Sequence, residues 1–130
     1  MKRILFTAVL ASFATFASAA SIEGKWKTFD EKDGTPKAHI QITKVGNTYQ
    51  GKVVGVEPTC TLCKQKNFVG QTILTGLKQE SDNEFGGGKI RDPQSGKSYK
   101  AKASVKGNSL EVRGFVGVSL LGRTQVWKRM

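Results

Sequence analysis

Between its glycines the chain alternates polar and apolar residues with a period of two, and nowhere does an apolar period of 3.6 residues persist. Successive strand side chains point to opposite faces, whereas an amphipathic helix needs apolar residues three and four apart. The pattern therefore confines the chain to an all-β fold. In KAHIQITK (37–44), Ala38, Ile40 and Ile42 share one face while Lys37, His39, Gln41 and Thr43 share the other. In KSYKAKASV (97–105), Tyr99, Ala101, Ala103 and Val105 oppose Lys100, Lys102 and Ser104.

Turn chemistry divides these runs. Asp33-Gly34 in DEKDGTPK (30–37), Gly46 in KVGN (44–47), Pro93 and Gly96 in DPQSGK (92–97) and Gly107 in KGN (106–108) stand where short reversals need them. About eight strands result, near 22–29, 37–44, 48–56, 70–79, 84–91, 97–105, 108–116 and 122–129. Short connections favour an up-and-down order, and closure into a single antiparallel barrel removes both exposed edges. An eight-stranded barrel is also just wide enough for a small ligand. One segment breaks the alternation: in EFGGGKIRD (84–92), Phe85 and Ile90 are five apart and would face opposite ways. One extra residue among Gly86, Gly87 and Gly88 returns both to the core, so a β-bulge is expected there. The rival reading, a phosphate-cradling loop, lacks the helix that such loops lead into.

The first twenty residues, MKRILFTAVLASFATFASAA, place Lys2 and Arg3 before a short apolar run that ends in small residues. This is the build of a secretory signal peptide, cleaved after Ala19 or Ala20. The apolar run, diluted by serine and threonine, is too short for a comfortable membrane anchor. The expected mature protein, residues 21–130, is one domain in the periplasm or secreted, and does not span a membrane.

Of 21 basic and 10 acidic residues, Lys2 and Arg3 leave with the signal, so 19 basic residues remain and the formal charge is +9. Such a balance draws anionic partners. The lysines lack interleaved aromatic residues that stack bases, so no nucleic-acid partner is expected. An anionic envelope component fits the compartment better, and a solvated basic face is the plain alternative.

Cys60 and Cys63 lie in EPTCTLCKQKNF, the longest polar connection. In an oxidising compartment a local disulfide is the expected state, stiffening its loop more than the whole fold. A redox pair would sit at a helix start, and none is apparent here. A zinc site would need four ligands, and the chain offers two cysteines and His39, which falls on an outward strand face. Nothing in the pattern sets His39 beside a nucleophile, and Asp92, in a turn before Pro93, suits backbone hydrogen bonding. Neither an enzyme nor a cofactor is expected.

GKW (24–26) opening the first strand, with an arginine in the last, resembles the lipocalin and fatty-acid-binding superfamily, in which such a tryptophan closes one barrel end beneath an arginine. The ordered set GKW, GK (51–52), CTLC (60–63), GGGKIRDPQSGKSYKAK (86–102), LEVRGFVG (110–117) and GRTQVWKR (122–129) is similar to the bacterial secreted family known as domain of unknown function 2147. The likeness runs from Gly24 to Arg129 and implies a lipocalin-like barrel without assigning a reaction. Phe115 stands where tyrosine is common in that family.

The expected function is non-catalytic binding of a small hydrophobic or amphipathic ligand. Candidate contacts are Trp26, Phe85, Tyr99, Phe115, Arg123 and Trp127. The alternatives are an envelope interaction module with a filled barrel, acting through its basic surface and loops, and a thiol redox protein using Cys60 and Cys63. In the final strand Arg123, Gln125, Trp127 and Arg129 share a face, so an arginine there can stack on an indole. The preceding run FVGVSLL (115–121) either folds Phe115, Val118 and Leu120 over a barrel opening or continues a core strand.

Overall fold

The computed structural model describes residues 21–61, 63, 67–117 and 122–130. The expected signal peptide, and Val118 and Leu120 of the expected lip, lie outside the described residues. Eight strands follow one another: β1 (Gly24–Phe29), β2 (Pro36–Val45), β3 (Thr48–Val56), β4 (Thr72–Gln79), β5 (Glu84–Arg91), β6 (Ser98–Lys106), β7 (Ser109–Phe115) and β8 (Arg123–Arg129). Each pairs antiparallel with its neighbour in sequence, and β8 returns to β1 through Trp26 opposite Arg129 and Lys27 opposite Lys128, closing the barrel. Among the described residues no helix is long and apolar enough to cross a membrane.

The alternation read from the sequence sorts side chains as expected. Ile40, Ile42, Ala101, Ala103 and Val105 are buried, while Thr43, Lys100 and Lys102 face water. The 92–97 reversal is held by the Asp92 amide donating to the Lys97 carbonyl at 2.8 Å and by Gly96 at φ 78°. In the β1–β2 turn, the Thr35 side chain and amide hydrogen-bond the Asp33 carboxylate and hold it below its usual range.

The triple glycine forms the expected bulge. Phe85 pairs with Ala103 and Gly88 with Ala101, so β5 carries one residue more than β6 over this interval. Gly87 takes the left-handed φ of 69°, which side-chain-bearing residues rarely adopt. Phe85 is thereby buried and Ile90 packs against the core. Gly88 faces inward: a Cβ there would lie 2.8 Å from the Thr75 carbonyl oxygen and 2.9 Å from Leu77 Cδ2. Gly87→Val should destabilise the fold by about 1–3 kcal/mol through backbone strain. Gly88→Val should cost about as much through overpacking. Thermal melting tests both, and wild-type transitions in both variants would show that no special backbone is needed.

The interior has two unlike ends. At the end where β1, β3, β5 and β7 begin, Ile22, Trp26, Ile42, Tyr49, Leu77 and Phe85 form a solid plug. The Tyr49 and Phe85 rings meet edge to face at 5.4 Å. Trp26 is fully buried, and its Nε1 donates to the Ile22 carbonyl at 2.9 Å. The Arg129 guanidinium lies 4.2 Å from the centre of the Trp26 ring and donates to the Glu23 and Ser21 carbonyls at 3.2 and 2.7 Å. The segment before β1 is thus strapped across this end.

Candidate functional site: a cavity at the open end of the barrel

The opposite end, where even strands begin and odd strands finish, is hollow. A cavity of about 420 Å³ opens there. Its inner wall comes from inward positions of many strands: Ile40 of β2, Val53 of β3, Ile73 of β4, Val112 of β7 and Trp127 of β8. Ile90, Ala38 and Phe68 extend the apolar surface, and Cys63 adds to it from the β3–β4 connection. Glu31, Lys37, Arg91, Asp92, Arg123 and Gln125 contribute polar groups to the lining.

A hydrogen-bonded chain runs from floor to rim. The indole Nε1 of Trp127 can only donate, so it fixes the Gln125 amide with its oxygen toward the ring, at 3.1 Å. The amide nitrogen then points to the Glu31 carboxylate at 3.4 Å, and the Arg123 guanidinium reaches the same carboxylate at 3.4 Å. Glu31 is therefore occupied by Gln125 and Arg123. Asp92 is likewise engaged, its carboxylate accepting from the Gln94 amide at 2.9 Å. Arg91 donates to a neutral partner, Gln71 Oε1, at 3.1 Å, and among the described residues Lys37, a part-buried residue of the lining, forms no ion pair. The cavity lining thus carries cations that its own carboxylates do not neutralise.

Of the residues singled out in the sequence, Tyr99, Phe115, Arg123 and Trp127 line this cavity. Trp26 and Phe85 do not; both are buried in the plug at the other end. Phe115 ends β7 at the cavity mouth, in register with Lys100. Ile40, Val53, Ile73, Lys37, Glu31 and Gln125 were not singled out, although alternation already turns Ile40 and Gln125 inward.

Cys60 and Cys63 form a disulfide, and both are buried. The connection carrying them is anchored on β2: the Glu57 amide donates to the Lys37 carbonyl at 2.8 Å, and the Cys60 amide to the Glu57 carbonyl at 3.0 Å. His39 Nε2 hydrogen-bonds the Glu57 carboxylate, which Lys27 Nζ approaches to 4.0 Å. His39 therefore sits on an outward strand face as expected, but with a carboxylate partner that the sequence did not indicate. So short a ring removes little chain entropy, and replacing both cysteines with serine should cost no more than about 2 kcal/mol by melting. Larger losses would make the disulfide a main support of the fold. Thiol titration of the denatured, unreduced protein should find no free thiol.

Residues 24–129 match the family model described as an uncharacterized protein conserved in bacteria, DUF2147, and the chain belongs to that family. Among curated proteins none matches the chain. The solved structure of protein HP1028 from Helicobacter pylori, described as belonging to the lipocalin family, is similar in fold, with a TM-score of 0.69 and 16% identity over 85% of this chain and 83% of that one. The barrel is lipocalin-like. A bacterial family and a disulfide together indicate a place outside the cytoplasm, where such bonds persist.

Proposed function

We propose that this is a non-catalytic periplasmic binding protein, delivered by a cleaved signal at residues 1–20, whose barrel holds a small hydrophobic or amphipathic ligand. The open cavity carries the reading: its volume of about 420 Å³ lies within the range of small-molecule sites, which combine an apolar lining with a few placed polar groups. The ligand's apolar body lies on Trp127, Val112 and Ile40. A polar or anionic end reaches the rim, where Lys37 and Arg91 meet it without having to give up a carboxylate.

Titration with a fluorescent fatty-acid probe tests the assignment. Ala38 lines the cavity and is small, so Ala38→Phe should fill the space and weaken probe binding tenfold or more, on the order of the loss of a well-packed apolar contact. Lys37→Gln should weaken the anionic probe about tenfold, as expected for one charge-assisted hydrogen bond, and leave its neutral ester unchanged. A probe that binds wild type and Ala38→Phe equally lies outside the barrel, and the proposal fails.

A further inference from the structure

We infer that the outer face of β5, β6 and β7 docks on an anionic lipid bilayer, with the cavity mouth turned toward that surface. Strand register sets Lys89 directly opposite Lys100, and Lys102 directly opposite Arg113. All four alternate with inward residues, among them Ala101, Ala103 and Val112, so the four cations share the outer face. Like charges directly opposite one another weaken an antiparallel ladder, yet two such pairs stand side by side here. In open sheets lysines guard edges against unwanted pairing. This barrel is closed and β6 lies between two partners, so there is no edge for these lysines to guard.

The two acids of these strands, Glu84 and Glu111, have partners other than Lys89, Lys100 and Lys102. The Glu84 carboxylate accepts from the Ser104 hydroxyl at 2.6 Å, and Glu111 pairs with Lys106 at 3.2 Å. Among the described residues no carboxylate forms an ion pair with Lys89, Lys100 or Lys102. Arg113 donates to the Thr124 hydroxyl at 2.8 Å.

A second observation selects the partner. Phe115 lies opposite Lys100, and Val116, which follows it, is 64% exposed; both border the cavity mouth. Cations beside exposed apolar side chains suit a bilayer interface, where headgroup phosphates meet the charges and the acyl boundary takes the apolar groups. Single-stranded nucleic acid would call for several aromatic platforms among the cations, whereas of the aromatic residues of β5–β7 Phe85 is buried and Tyr99 alternates to the other face, which leaves Phe115 beside them.

Co-sedimentation of the full mature chain with vesicles tests the inference. Binding is expected to phosphatidylcholine vesicles containing phosphatidylglycerol and not to phosphatidylcholine alone. The triple variant Lys89→Gln, Lys100→Gln, Lys102→Gln should bind about 100-fold more weakly, and Lys100→Gln alone about fivefold. The variant Lys25→Gln, Lys44→Gln, Lys52→Gln removes the same charge from β1–β3 and should bind within about threefold of wild type, since those positions lie off the docking face. Ala38→Phe should bind the vesicles normally, which separates this inference from the ligand assignment. Val116→Trp should add a blue-shifted emission on phosphatidylglycerol vesicles. Equal losses from both lysine triples would mean that net charge alone acts. That result, absence of vesicle binding, an unshifted Val116→Trp, or tighter binding to a single-stranded oligonucleotide than to the vesicles would each overturn the inference.

Discussion

A chain ending at Gly122 will not fold cooperatively. Removing β8 deletes the ladders to both β1 and β7, including the pairs Trp26–Arg129 and Leu110–Trp127. It converts a sheet without edges into one with two. The buried Trp127 side chain alone is worth about 3–5 kcal/mol. Each lost ladder hydrogen bond adds roughly 1 kcal/mol. Domains of this size have about 5–15 kcal/mol in total, so the loss consumes the stability available. Arg129 leaves as well, and with it the bonds to the Ser21 and Glu23 carbonyls that strap the opposite terminus. Circular dichroism during heating checks this. A truncated chain with a sharp transition near that of the chain ending at Met130 would contradict barrel closure through β8.

Trp26→Ala should lower stability by about 3–5 kcal/mol, the usual cost of emptying a large aromatic site. For a domain of this length that moves the melting temperature down by roughly 10–25 °C. Three contributions coincide at Trp26: complete burial, the bond from Nε1 to the Ile22 carbonyl, and the Arg129 guanidinium over the ring. Trp26→Phe keeps an aromatic face for Arg129 but leaves the Ile22 carbonyl without its donor, so its loss should be smaller. Trp26 does not line the cavity, and folded Trp26→Phe should bind the fatty-acid probe as wild type does. A fall in stability below about 1 kcal/mol for the alanine variant, under the usual range for such sites, would show that the plug closes without the indole.

The contrast between Trp26 and Trp127 shows how far the sequence carries. Alternation turns both inward, and the last strand's face of Arg123, Gln125, Trp127 and Arg129 is legible in TQVWK and its flanks. Closure of β8 on β1 follows from the number of strands and their short turns. The bulge was legible because Phe85 and Ile90 are five residues apart, a spacing that strict alternation cannot reconcile. Which end of the barrel is hollow was not legible, because that depends on side-chain volumes summed across eight strands. Tyr49, Phe85 and Trp26 fill one end, while Ala38, Gly114 and the medium-sized Val53 and Val112 leave room at the other.

The two ends could still have been distinguished by strand parity. In an up-and-down barrel, residues early in odd strands share an end with residues late in even strands. Trp26 and Phe85 lie early in β1 and β5, whereas Tyr99 lies early in β6, Arg123 begins β8 and Phe115 ends β7. Parity thus separates five of the six singled-out residues into a plug pair and a mouth group; Trp127, late in β8, falls by parity toward the plug and reaches the cavity as its floor. The bond between His39 and Glu57 had no such signal, since it joins a strand to a connection whose path depends on tertiary packing.

The most direct test of the ligand-holding barrel is native mass spectrometry of the protein purified from its own cells without detergent, alongside Ala38→Phe prepared the same way. The account predicts a co-purifying small molecule on the wild-type protein, released on denaturation and absent from Ala38→Phe. Wild-type protein that is bare in that spectrum and also fails to take up the fatty-acid probe would contradict it.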